Sequence, residues 1–85
     1  MLYIPLIAKS DFDAVKENMN PYLNHTYDTW VELCADWRTE WGSKGTVDIK
    51  IDPVKFDFFA RESCRAPNIK CLLDFADHLG KRRTH

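Results

Sequence analysis

The sequence predicts a small α+β single domain of two strands and about four helices, in the order β-α-α-β-α-α. Three observations carry that prediction. Residues 27–41, YDTWVELCADWRTEW, hold all three tryptophans and divide into an apolar arc and an acidic arc at about 100° per residue. Residues 46–52, TVDIKID, alternate apolar and polar without a break. Cap residues, prolines and glycines separate the remaining apolar periodicities into helix-sized pieces. A two-stranded sheet is marginal in water on its own. It is therefore expected to be packed by helices, with room for extension across a dimer.

Taken in order, Leu2 to Ile7 reads as a short strand, with Leu2, Ile4 and Leu6 on one face and Tyr3 and Ile7 on the other. Pro5 lacks an N–H, so the strand belongs at a sheet edge. Ser10 is the expected N-cap of a helix ending near Met19, with Asp13 completing a capping-box variant and Phe12, Val15 and Met19 spaced to face a core. Asn20-Pro21 stops that helix.

Thr26 caps the long helix, whose apolar arc holds Tyr27, Trp30, Val31, Leu33, Cys34, Ala35, Trp37 and Trp41. Gly42 is expected to end it in a left-handed C-cap. In the second strand Val47, Ile49 and Ile51 face inward. Asp52-Pro53 is a cap followed by proline at the first helical position, opening a helix to about Ser63. Its main apolar arc is Phe56, Phe59, Ala60 and Cys64. A turn at Cys64-Arg65-Ala66 leads to a fourth helix from Pro67 to Gly80 that buries Ile69, Leu72, Leu73, Phe75, Ala76 and Leu79. Residues 81–85 form a basic, flexible tail.

Eighty-five residues make a thin core, though eleven aromatics help to fill it. Net charge is −1, which argues against a general polyanion binder, but it is unevenly spread. Residues 1–43 sum to −4 and residues 44–85 to +3, an asymmetry suited to association. Three cysteines without a CxxC make no disulfide framework, and the chain has neither a signal-peptide pattern nor a membrane-length apolar run. A reducing cytoplasm and no membrane association are expected.

Four constellations invite a functional reading. Asp28, Glu32, Asp36 and Glu40 form an acidic row, either a solvated face or a docking strip for a basic protein partner. Arg38 falls inside the apolar arc, either as a structural ion pair or as the anion-binding arginine of an aromatic pocket walled by Trp37, Trp41 or Tyr27. Cys71, Asp74 and His78 share the polar face of the fourth helix, but Cys71 and His78 stand two turns apart, about 10 Å, too far for a thiol–imidazole bond. Cys64, Cys71 and His78 lack zinc-ligand spacing, so no metal, cofactor or catalytic residue is assigned.

Phe58, with Val54, lies off the main apolar arc of the third helix, which marks a second covered face or a subunit interface. Residues 59–83 loosely follow a helix-turn-helix, yet Asp74 and Asp77 on its second helix would repel phosphates, so nucleic-acid binding is the alternative reading.

Ile4-Pro5-Leu6-Ile7, Tyr27-Asp28-x-Trp30, the run VDIKIDPVKF, Phe59-Ala60-Arg61 and Cys64-Arg65-Ala66-Pro67 together give an arrangement that resembles small uncharacterised bacterial proteins, including some carried in integron gene cassettes. The resemblance implies a bacterial, mobile-gene origin and supplies no activity or catalytic residues. The functional expectation is therefore a non-enzymatic protein-interaction or regulatory module acting as a homodimer. Nucleic-acid binding through residues 59–83 and small-anion binding near Arg38 are the alternatives.

Overall fold

The computed structural model describes residues 1–83. Its order is β1 (Leu2–Leu6), α1 (Lys9–Met19), α2 (Tyr27–Glu40), β2 (Thr46–Lys50), α3 (Pro53–Glu62) and α4 (Ile69–Arg83), the α+β arrangement anticipated. The two strands pair in parallel, Leu2 against Thr46 through Leu6 against Lys50. A parallel pair cannot close through a hairpin, so α1 and α2 together form the crossover.

The ladder explains Pro5. Leu2 N donates to Gly45 O and Ile51 N donates to Leu6 O. Even-numbered residues of β1 and odd-numbered residues of β2 thus turn their backbone groups toward each other. The missing N–H of Pro5 falls on the outer side, where the sheet loses nothing.

Alternation assigns the two faces of the sheet. Tyr3, Pro5, Ile7, Val47, Ile49 and Ile51 share the face on which Tyr3 meets Gly80 of α4. Leu2, Ile4, Leu6, Asp48 and Lys50 share the face on which Asp48 meets Arg38 of α2. Ile4 and Pro5 are both buried, so β1 is covered on both sides. On β2 Ile49 is buried, as is Ile51 just beyond it, while Asp48 and Lys50 stay exposed. The core continues through Phe12, Val15 and Met19 of α1, Trp30 and Cys34 of α2, Phe56 and Ala60 of α3, and Leu72, Phe75 and Ala76 of α4.

Several local expectations are corrected. α1 begins at Lys9 beyond Ala8 and has no side-chain cap, so Ser10 lies inside the helix; packing of Phe12, Val15 and Met19 holds it instead. α2 does have the Thr26 cap, reinforced by a reciprocal box with Thr29. Its apolar arc is narrower than expected. Trp30 and Cys34 are buried and Leu33, Trp37 and Trp41 half-buried, but Val31 and Ala35 are exposed. A sheet two strands wide offers the helix only a narrow seam.

Gly42 is not left-handed. The chain runs through a further turn in which Lys44 N and Gly45 N both donate to Trp41 O, and Gly45 takes the positive φ of 91°. Asn68, rather than Pro67, starts α4: its Oδ1 accepts from Cys71 N at 2.9 Å. Cys71 is buried and not on a polar face.

Gly80 does not end α4, which continues to Arg83, so residues 81–83 of the expected tail are helical; residues 84–85 lie outside the described residues. A Cβ at Gly80 would overlap the Tyr3 ring. Glycine thus lets α4 approach the sheet closely. Cys64, expected in the apolar arc of α3, is exposed at φ 53°. Arg65 N donates to Ala60 O and Cys64 N to Arg61 O, a Schellman closure with cysteine in the place glycine usually takes.

Two outcomes follow, both read by urea denaturation. Gly80→Ala costs about 1–3 kcal/mol through overpacking, and the loss disappears in a Tyr3→Ala background because the two positions are coupled. Cys64→Gly raises stability by about 0.5–1 kcal/mol by relieving the left-handed backbone.

Candidate interaction surface

The surface that stands out is built on α3. Asp52 Oδ1 accepts from Val54 N and Lys55 N, and Pro53 occupies the first turn, so the helix starts firmly. Phe56 and Ala60 point into the core. Phe59 turns toward α4, its ring 5.0 Å from Phe75 and 5.9 Å from His78, centroid to centroid. The helical rotation then carries Val54 and Phe58 outward, 77% and 62% exposed.

Beside them lies an open groove of about 740 Å³ between α3 and α4. Phe58, Phe59, Phe75 and Leu79 give it apolar walls, and Lys55, Glu62, His78 and Arg82 stand at its border. Sequence reasoning found Phe58 from its wheel position. It missed the groove, because nothing in the spacing of α3 alone shows how α4 lies against it.

Charge pairing near the groove is selective. Arg61 pairs with Asp57, Arg65 with Asp74 and Lys81 with Asp77. Among the described residues no ion pair forms at Lys55, Glu62 or Arg82. The helix-turn-helix comparison fares poorly on this geometry. Six residues separate α3 from α4, and α4 is covered along most of its length, with Lys70, His78, Lys81 and Arg82 exposed. Arg61, Arg65 and Lys81, which that reading needs for phosphates, are each held by a carboxylate.

The acidic row is where the wheel put it: Asp28, Glu32, Asp36 and Glu40 are all exposed on α2. The proposed anion pocket is not assembled. Arg38 donates from Nε and Nη2 to Asp48 Oδ1, at 3.2 and 2.9 Å. Tyr27 packs against Phe12 at the opposite end of α2, Trp37 against Trp30, and Trp41 lies under the Lys44 ammonium. Eleven positions separate Tyr27 from Arg38, about 16 Å of helix, so they cannot wall one pocket.

The cysteines of the core are poor nucleophiles here. Burial pushes the Cys34 thiol up to about 11, and it raises Cys71 as well, with Arg65 only partly opposing. Among the described residues no three His, Cys, Asp or Glu side chains form a metal-holding group, and no helix is long and apolar enough to cross a membrane. No family model matches the chain, and no curated protein or solved structure shows significant similarity to it.

If Arg38 serves as a half-exposed structural pair, Arg38→Ala lowers stability by less than about 1 kcal/mol. Indole emission then stays flat when phosphate, sulfate or acetate is titrated in. A saturable change in emission would restore the pocket reading.

Proposed function

We propose that this chain is a small non-enzymatic protein-interaction module that works as a homodimer, with the α3–α4 surface as its contact. The observation that carries the reading is the exposure of Val54 and Phe58 next to an open apolar groove. An exposed aromatic beside a concave apolar surface has the make-up of an interface core, in which aromatic residues are enriched and charged ones depleted. The small core supports the same reading. A chain of this length buries a limited share of its surface, and pairing supplies what one copy lacks.

Contact through α3 and α4 leaves α2 free. Each copy then presents Asp28, Glu32, Asp36 and Glu40 to water, an anionic face suited to a basic protein partner. Regulation by such a partner would be salt-sensitive, since exposed charges are screened within about 8 Å at physiological ionic strength.

Sedimentation equilibrium tests the reading. The expected result is a reversible monomer–dimer equilibrium, with twice the mass of one chain dominant at the upper end of the concentration range. A single-chain mass up to roughly 1 mM would put any dissociation constant beyond use and overturn it.

A further inference from the structure

We propose that a second copy docks on the α3–α4 groove in antiparallel fashion, with the two-fold axis passing between Phe58 and Phe59 and with Lys55 of each copy meeting Glu62 of the other. The proposal rests on the self-association reading and specifies its geometry.

The surface is complementary to itself. A two-fold contact must use the same patch on both subunits, so that patch needs a projecting part and a receiving part side by side. Phe58 projects and the groove beside it receives. A second α3 running the opposite way sets Phe58 of each copy over Phe59 of the other, at the groove's aromatic wall.

The charges select that register. Lys55 and Glu62 are seven residues apart, two turns, so they lie on one side of α3 about 10 Å from each other. Phe58 and Phe59 fall midway between them. Reversal about that midpoint exchanges position 55 with position 62, bringing opposite charges together twice. Within one chain these two side chains make no ion pair among the described residues, whereas Arg61, Arg65 and Lys81 on the same two helices each have one. A partner helix of uniform charge would satisfy one end of the groove and repel the other. A second copy satisfies both.

The test is the dimer dissociation constant by sedimentation equilibrium, with circular dichroism confirming that each variant is folded. Phe58→Ser removes an exposed ring, so the monomer keeps its core, and it weakens dimerisation at least about tenfold. Lys55→Glu and Glu62→Lys each weaken it about five- to tenfold, while the double reversal returns to within about twofold of the parent. A dimer as tight as the parent in Phe58→Ser places the contact elsewhere and overturns the proposal while leaving self-association standing. A double reversal no tighter than the single variants overturns the register. A parent chain that stays monomeric removes the self-association reading itself.

Discussion

The pairing of Leu2–Leu6 with Thr46–Lys50 must be kept from water on a sheet that, among the described residues, has no interior strand. That is the constraint to which the other elements answer. A strand in a wide sheet is protected by neighbours on both edges; here each strand has one neighbour and one bare edge. β1 resolves its side with proline and α2. Pro5 has no outward N–H to leave unpaired, and its carbonyl accepts a long contact, 3.9 Å, from the Cys34 thiol. Burial of Ile4 and Pro5, adjacent residues on opposite faces, shows that the helices cover the middle of this strand on both sides, while Leu6 at its end stays exposed.

The enclosure uses up the helices. α4 is drawn against the sheet closely enough that Gly80 has no room for a methyl group, and α2 lies along β1 through a seam of Trp30 and Cys34. α3 is then left to pack with one face against α1 and α4. Asn18 Nδ2 donates to Pro53 O, fastening the start of α3 to α1, while Phe56 and Phe59 meet Phe75. Among the described residues no element remains to cover the other face. The exposure of Val54 and Phe58 is thus the consequence of spending two helices on a sheet too small to shield itself.

This arithmetic of faces also separates what could be read from the sequence from what could not. Element type and order were legible because they rest on period: the four-residue acidic recurrence of Asp28 to Glu40, and the unbroken alternation of Val47, Ile49 and Ile51. Caps made by local chemistry were legible at Thr26 and Asp52. Positions set by tertiary approach were not. Gly80 has the composition of a helix stop, but it is the close-contact point between α4 and Tyr3. Cys64 resembles a small core residue on a wheel, yet it takes a left-handed turn. Val31 and Ala35 fit the apolar arc and still face water, because wheel geometry does not contain the width of the surface a helix lies on. Of the site, Phe58 and the acidic row were visible as residues, while the groove required two helices to be placed side by side. The Arg38 pocket failed for a related reason: a wheel projects along the axis and brings together residues that stand three turns apart.

A two-stranded sheet invites extension by a second copy, and that alternative has to be weighed against contact through α3. Only the outer edge of β2 could serve, through the backbone groups of Thr46, Asp48 and Lys50, since Pro5 interrupts the edge of β1. Asp48 is held by Arg38, and Lys50 stands exposed beside it. Strand addition there would set a new strand's side chains beside the Arg38–Asp48 pair and the Lys50 ammonium, and charged residues on an edge strand disfavour such pairing. The α3 face carries the opposite balance. It exposes Val54 in its first turn and Phe58 at its middle, with Lys55 and Glu62 on either side of Phe58, so a second copy docked there would gain from apolar burial and would bring those charges into register. The edge that looks open is guarded, and the helix that looks finished is the one with surface to bury.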